Sequence, residues 1–551
     1  MSEARVWVNN YPPGVPANID DNSYQNLVQF FVETLEKHAG KIAFESMGKG
    51  ISYSDLQKQS NHFAAYLQSR GLVAGDKIAL MMPNCLQYPI AIIGALKAGL
   101  IVVNTNPLYT PREMQYQFSD SDVKAIVILE NFAHNLEQIL GHTQISIVIT
   151  TSLGELLGPV KGTIVNLVVR HVKKMVPKYN IANTVCFKEA LKRGQGFTVK
   201  PLESKPDDVI IHQYTGGTTG VSKGAMLTNR NMIANMLQMK TWMETTLSDG
   251  NEVALSPLPM YHIFAFTVNC LALTALGAKT VLVTNAKDIP SVIKEFDKNR
   301  ITVFSGLNTL FNAMLNNPDF AAKDFSGLKV TVAGGMALQK AVAERWESVT
   351  GCRISEGYGM TESSPVLTVN ILGKNARLGY IGMPVSSTDV KIVDDNGVEV
   401  PLGTPGELIA KGPQIMKGYY NKPEETAKTV KDGWLYTGDI AIMEADGYFK
   451  IVDRKKDMIL VSGFNVYPNE IEDVLVTHPK ILEAAAIGIQ DDKSGESVKV
   501  FIVKRDPSLT EDEVYAFSRE NLTGYKVPKA VEFRTELPKT NVGKILRREL
   551  R

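Results

Sequence analysis

Two short segments carry the residues with the clearest chemistry. Near the end of the chain, Pro538-Lys-Thr-Asn-Val-Gly543-Lys544-Ile-Leu-Arg547-Arg548 offers one lysine on a tight glycine turn. Far upstream, Tyr214-Thr215-Gly216-Gly217-Thr218-Thr219-Gly220-Val-Ser-Lys223-Gly224 follows an apolar run at 209–212. Glycines let backbone N–H groups approach phosphate oxygens, and the threonines add hydroxyl donors. Lys223 supplies a mobile positive charge. A Walker-type loop is excluded, because that motif needs Gly directly before Lys and here Val221 and Ser222 intervene. The pair predicts a nucleotide held by a large domain and worked on by a lysine from a small one. Such an arrangement suits activation of a carboxylic acid with ATP.

The elements that must position these residues follow from hydrophobic periodicity. A helix is predicted over 54–70 and a strand over 77–82, and strand-length apolar runs then alternate with helical patterns. The runs lie at 209–212, 279–283, 301–304 and 330–333, and the helices at 229–239, 289–296 and 338–346. That alternation is the signature of βαβ units and mostly parallel sheets. Beyond about residue 385 the pattern becomes β-rich. Residues 390–400 read as a strand pair around Asn396-Gly397, a hairpin signal, with further strands at 407–411 and 448–452. The charged run Arg454-Lys455-Lys456-Asp457 reads as a hinge. A small α+β domain over 458–551 is expected to follow, with a helix at 469–477, strands at 484–489 and 498–504, and a capping box at Thr510–Glu513. The fold class is α/β: a large N-terminal domain over 1–453 with a β-rich subdomain over 385–453, then the hinge and the small domain.

Bulk properties set limits. A chain of 551 residues exceeds the size at which one core keeps growing, so several subdomains are expected. Apolar residues at 44% and charged residues at 21% suit a globular protein with ample core. A net charge of +1 argues against nucleic-acid coating. Cys85, Cys186, Cys270 and Cys352 are widely spaced and pair with no nearby histidine, so reduced thiols in a cytoplasmic protein are expected. The N-terminus lacks the pattern of a secretory signal, and the apolar window 264–278 is too short to span a bilayer. One basic amphipathic stretch stands out over 163–179. Ile164, Leu167, Val168, His171, Val172, Met175 and Val176 recur near helical spacing among Arg170, Lys173, Lys174 and Lys178. It reads either as a core-facing helix with a solvated basic face or as a patch for anionic lipid on the inner face of the cell membrane.

The ordered set of motifs resembles the adenylate-forming superfamily. It comprises 214–224, Leu258-Pro-Met-Tyr-His262-Ile-Phe-Ala-Phe266, Ser355-Glu356-Gly357-Tyr358-Gly-Met-Thr361-Glu362, Tyr436-Thr-Gly-Asp439 and the Gly543-Lys544 tail. The similarity covers essentially the whole chain. Segments 432–439 and 452–472 look closest to bacterial long-chain fatty-acid–CoA ligases. The resemblance implies ATP, Mg²⁺, coenzyme A and a fatty acid as reactants. It implies that Glu362 holds the metal, that Tyr358 faces adenine with Gly334-Gly335 close by, and that Asp439 and Arg454 take the ribose. Glu356, Gly357 and the 214–220 loop join this nucleotide set, with Lys223, Thr361, His262 and above all Lys544 as catalytic groups. Lys456 matches the hinge about which the small domain swings, and Gly463 the segment flanking the pantetheine path. Asn465 stands where many short-chain relatives carry Arg, which leaves the CoA nucleotide contacts open. Phe266 matches an acyl gate, although Tyr261, Phe264 and Phe266 also fit as core aromatics. The resemblance is compatible with a homodimer. A carrier-loading acyl-AMP ligase, a luciferase-like oxygenase and a relic fatty-acid-binding protein are the competing readings. The last would predict loss of Glu362, Asp439, Arg454 or Lys544, and all four are present.

Overall fold

A computed structural model describes residues 5–215, 222–462, 464–491, 494–540 and 543–551. Gly216, Gly217, Thr218, Thr219, Gly220 and Gly463, singled out above, lie outside the described residues.

Two large sheets form the body. The first has nine strands, and its six central ones run parallel: Ile354–Gly359, Val330–Ala333, Val303–Gly306, Val253–Ser256, Lys279–Leu282 and Ile42–Ser46. The second has eight, with parallel strands Val209–Thr215, Ile101–Asn104, Lys77–Met81, Val123–Leu129, Ile147–Thr151 and Val185–Cys186. Strands such as Val303–Gly306 and Val330–Ala333 are buried along their whole length, as sheets covered on both faces require. Helix Gln87–Lys97 packs on the second sheet and against helix Tyr53–Ser69, which in turn meets strands of the first sheet.

The β-rich region forms a separate antiparallel sheet from Asp389–Val393, Gly406–Lys411, Val430–Lys431, Trp434–Met443 and Phe449–Arg454. The hairpin predicted over 390–400 shrinks to one bridge, Val393 to Glu399. Pro401 has no N–H to extend that return strand. Asp389–Val393 instead pairs along its length with Gly406–Lys411. The small C-terminal unit has a five-stranded sheet built on the long ladder Ile481–Asp491 with Gly495–Lys504, and the Thr510–Glu513 capping box is present.

One expectation about local structure holds with an addition, and another changes. The helix opens at Asn229 after the nucleotide loop as expected, with a strand between them. Lys223–Thr228 forms an antiparallel strand with Val209–Thr215, with Thr215 opposite Lys223, and only then does helix Asn229–Met243 begin, capped by Thr228. The 163–179 stretch is helical only from Pro159 to Val172, its last turn a π-helix. The core-facing alternative fails there. Gly162 and Val169 point inward, while Ile164, Leu167, Val172 and Met175 are all more than half exposed. Arg170 is held by Glu130, and Lys173, Lys174 and Lys178 are exposed cations of the stretch. Among the described residues no helix is long and apolar enough to cross a membrane.

Candidate active site

The predicted residues converge where the C-terminal ends of the parallel strands of both sheets meet the third sheet and the C-terminal tail. Ligands of open α/β sheets characteristically bind at this edge. A cleft of about 480 Å³ lies there, lined by His262, Phe264, Gly334, Gly335, Tyr358 and Thr361 among others. Gly335 has φ +78°, which favours glycine, and a side chain on Gly334 would press on the Gly357 carbonyl and the Phe264 ring at 3.2 Å. The backbone can therefore pass close to a flat ligand.

Tyr358, Asp439 and Arg454 come together from three strands. The Tyr358 hydroxyl donates to Asp439 Oδ2 at 2.6 Å, and Arg454 Nε lies 3.4 Å from Asp439 Oδ1. Asp439 and Arg454 are cross-strand partners, which fixes their separation.

Lys544 arrives from the small unit on a turn closed by Thr540 N–H to the Lys544 carbonyl, 2.7 Å, and by Lys544 N–H to Thr540 Oγ1, 3.1 Å. Gly543 takes φ +84° and packs so closely that a Cβ would sit 2.5 Å from Thr309 Oγ1. Burial pushes the Lys544 ammonium down to about 7; Arg454, Arg547 and Lys456 add to the fall and Asp439 opposes it. Burial also pushes the His262 imidazole down to about 4, and the Lys544 charge contributes. His262 is therefore neutral near pH 7, with Nδ1 accepting from the Phe264 N–H at 3.4 Å.

Glu362 is buried, and the Tyr419 hydroxyl donates to its Oε1 at 2.5 Å. Burial raises the Glu362 carboxyl, while the Tyr419 hydroxyl, Lys223 and Arg454 pull it back. Lys223 Nζ lies 4.6 Å from the centre of the Tyr419 ring and 3.0 Å from Glu425 Oε2. Among the described residues no cluster of three or more His, Cys, Asp or Glu side chains forms a metal cage. One buried carboxylate beside a cationic loop still fits Mg²⁺, which keeps waters and is commonly held by one or two carboxylates plus substrate phosphates.

Other predicted residues sit elsewhere. The Tyr214 hydroxyl donates to Asp120 Oδ2 at 2.7 Å, so its ring belongs to the second sheet's packing. Glu356 is buried behind the cleft, and burial pushes its carboxyl up to about 8. Phe266 is fully buried in the core and does not line the cleft; Phe264 is the aromatic that does. Lys456 is exposed in the turn that follows Arg454.

Sequence reasoning missed three supports. Tyr419 and Glu425 lie in Gly418-Tyr-Tyr-Asn-Lys-Pro-Glu-Glu425, whose only signal was tyrosines and acids bracketing a turn. Arg547, read as part of a basic tail, pairs with Glu472 at 2.8 Å and approaches Asp453 and Asp457 at 3.6 and 3.5 Å, anchoring the tail to the hinge region.

The glycine turn beside Tyr358, the Asp439–Arg454 pair and a lysine from the C-terminal unit meet in an arrangement able to receive a nucleotide. Family models agree: residues 31–420 match the AMP-binding enzyme model and residues 470–544 the AMP-binding enzyme C-terminal domain. The chain belongs to the AMP-binding, adenylate-forming enzyme family. It is 53% identical over 548 residues to a long-chain-fatty-acid–CoA ligase of Escherichia coli O6:H1, covering 99% of this chain and 98% of that one. A Bacillus subtilis protein of the same description is 37% identical, at 100% and 98% coverage. Among solved structures, ATP-bound MatB from Rhodopseudomonas palustris aligns with TM-score 0.82 and 26% identity over 96% of this chain and 98% of that one.

Proposed function

We propose that this protein is a long-chain fatty-acid–CoA ligase using ATP, Mg²⁺ and coenzyme A. The observation that carries the reading is the entry of Lys544 into a cleft formed by Tyr358, Asp439 and Arg454, in a chain 53% identical to a ligase of that description.

In the first half-reaction a fatty carboxylate oxygen attacks the α-phosphorus of ATP. The new O–P bond gives acyl-AMP as the bond to pyrophosphate breaks. Tyr358 and the Gly334-Gly335 turn receive the adenine, while Asp439 and Arg454 hold the ribose. Lys544 donates to oxygens that gain charge only in the transition state, where a pre-oriented donor is most effective. Lys223, linked to Glu362 through Tyr419, would meet the β- and γ-phosphates, and Glu362 would hold the magnesium. Bound there, Mg²⁺ neutralises phosphate charge and orients the chain of phosphates. Neutral His262 and Thr361 line the acid side of the cleft. In the second half-reaction the CoA thiol gives up its proton and attacks the acyl carbonyl; the thioester C–S bond forms and AMP leaves. A turn of the small domain about the Lys456 region between the steps would withdraw Lys544 and open the carbonyl to this thiol.

The substrate partitions into bilayers, and the exposed face of Pro159–Val172 with Lys173 and Lys174 suits anionic lipid. Reversing both charges to Glu should reduce sedimentation with phosphatidylglycerol vesicles; unchanged sedimentation excludes this face.

The ligase itself is tested by AMP release across fatty acids of increasing length, with and without CoA. CoA-dependent turnover that rises with chain length supports the reading. Turnover limited to short or aromatic acids, or an adenylate that ignores CoA, overturns it.

A further inference from the structure

The segment Ser256-Pro257-Leu258-Pro259-Met260-Tyr261-His262 leaves the first sheet and delivers His262 and Phe264 to the cleft. It cannot satisfy its own backbone. Two prolines remove two N–H donors, while Ser256, Leu258 and Met260 are almost wholly buried. Buried carbonyls need partners; Val283 N–H serves Ser256 and His262 N–H serves Pro259, and the remaining partners come from the other sheet.

Asn84, just beyond strand Lys77–Met81, donates through Nδ2 to the Ser256 and Leu258 carbonyls at 3.0 and 2.8 Å. Its Oδ1 accepts from Met260 N–H at 2.8 Å. The Tyr88 hydroxyl lies 2.8 Å from the Met260 carbonyl and 2.7 Å from Asn104 Oδ1, and its single proton serves one of these two acceptors at a time. Asn104 Nδ2 donates to Gln213 Oε1 at 3.0 Å, and Gln213 Nε2 donates to the Tyr261 carbonyl at 2.9 Å. The last contact orients the whole relay. With Gln213 Nε2 committed to a carbonyl, its Oε1 must accept from Asn104, which leaves Asn104 Oδ1 toward Tyr88. Asn104 and Gln213 are cross-strand partners, so the relay rests on rigid β-structure. Exposures of 3, 0, 3 and 4% for Asn84, Tyr88, Asn104 and Gln213 leave no room for water to replace a lost partner.

We infer that Asn84, Tyr88, Asn104 and Gln213 are positioning residues that clamp the 256–262 loop and thereby set His262 and Phe264 at the acid-binding side of the cleft. None of the four lines the cleft itself. The clamp acts on the acid side because the loop's free end opens into the helix that begins Ile263-Phe264, whereas the nucleotide groups Asp439 and Arg454 hang on the third sheet. The kinetic part of this inference rests on the ligase reading; the geometric part does not.

The test compares Tyr88→Phe and Asn84→Ala with Gln87→Ala. Gln87 is an equally buried amide, but it serves Thr151 and Ser152 at 2.9 Å, away from the loop. With palmitate, ATP and CoA as substrates, the two clamp variants should raise KM for palmitate on the order of tenfold or more, since small misplacements beside a reacting group are costly. KM for ATP and CoA should change much less than KM for palmitate, any residual effect on ATP passing through the Phe264 contact with Gly334, and Gln87→Ala should lose melting temperature alone. A substrate-free readout runs alongside: the imidazole ¹⁵N resonances of His262 should shift in Tyr88→Phe and not in Gln87→Ala. Tyr88→Phe removes one oxygen and keeps the ring's packing, so it covers the case in which Asn84→Ala does not fold. His262 resonances unchanged in Tyr88→Phe, or three KM values rising in parallel, overturn the clamp. Wild-type protein that fails to turn over palmitate while Tyr88→Phe still shifts His262 overturns only the ligase reading.

Discussion

Replacing Lys544 by alanine should separate the two half-reactions. The lysine is held by the Thr540–Lys544 turn, and its ammonium falls from the ordinary 10.5 to about 7, chiefly through burial, with Arg454, Arg547 and Lys456 adding repulsion. A cation held at such a cost gives most where new negative charge appears, and only the adenylation step places a pentavalent phosphorus there. Removing one comparable pre-oriented donor costs about 3–4 kcal/mol, or roughly 10²–10³ in rate. ATP–pyrophosphate exchange with palmitate measures adenylation alone, and conversion of supplied palmitoyl-AMP to palmitoyl-CoA measures the second step. Exchange should fall by that factor while thioester formation stays close to wild type. Equal loss in both steps would refute the assignment, as would unchanged exchange. The pH profile gives a second handle. With Lys544 inserted and no nucleotide bound, the charged form is lost as pH rises through about 7. Because kcat/KM reports the free enzyme, kcat/KM for ATP in the exchange assay should decline above that pH. Bound phosphates restore the proton, so the corresponding limb of kcat lies at higher pH.

Three further outcomes follow from particular contacts. Gly543→Ala adds a left-handed-backbone cost of about 1–2 kcal/mol and a clash with Thr309; exchange should drop, and adding Thr309→Ala should recover part of it. Tyr419→Phe strips the donor from buried Glu362; hydrogen bonds to charged groups contribute roughly 1.5–3 kcal/mol, so the Mg²⁺ concentration for half-maximal rate should rise about tenfold or more. Lys97 is buried with only neutral partners, Gln57, Ser60 and Asn61, and burial pushes it down to about 7. Its native form binds the proton more weakly than the unfolded chain does, so this site destabilises the fold fully below pH 7 and progressively less up to the ordinary 10.5. Wild-type urea midpoints should therefore gain between pH 7 and 9.5 relative to Lys97→Met.

What could be read in one dimension was whatever depends on local pattern or on an ordered motif. Strand Val330–Ala333 and helix Tyr53–Ser69 show their periodicity directly, and Asp439, Arg454 and Lys544 are flagged by neighbours that shape a turn or a strand end. Three-dimensional pairings were not legible. Glu425 meets Lys223 across 202 positions and Asn84 meets Met260 across 176, and neither asparagine nor glutamate carries a local mark of its partner. Phe266 shows another limit: its aromatic-rich motif fitted an acyl gate or a core aromatic equally, and only the structure shows that its side chain is buried while Phe264, two residues earlier, faces the cleft. The 163–179 stretch was ambiguous because amphipathicity tells which residues share a face and not what that face meets.

The charges at the cleft argue for how the small domain moves. With Lys544 inserted, its ammonium is buried and repelled by Arg454, Arg547 and Lys456, with Asp439 opposing, although Arg547 is itself balanced by Glu472, Asp453 and Asp457. Burial and this repulsion oppose closure until phosphates arrive to offset them. Once pyrophosphate has departed, the same repulsion favours withdrawal of the lysine and opens the carbonyl to the thiol. The idea has a proton signature. Lys544 is an ordinary amine when solvated and falls to about 7 when inserted, so insertion without nucleotide releases a proton at any pH between those values. Raising the pH from 7 to 9 should therefore shift the nucleotide-free protein toward the closed arrangement, read by fluorescence energy transfer between dyes placed on Cys186 and on a cysteine substituted for Ser508. A non-hydrolysable ATP analogue should close the protein at either pH and flatten that dependence. Lys544→Met should also flatten it, because no proton is then linked to closure. A pH response that persists in Lys544→Met would place the driving charge on another group and refute this account.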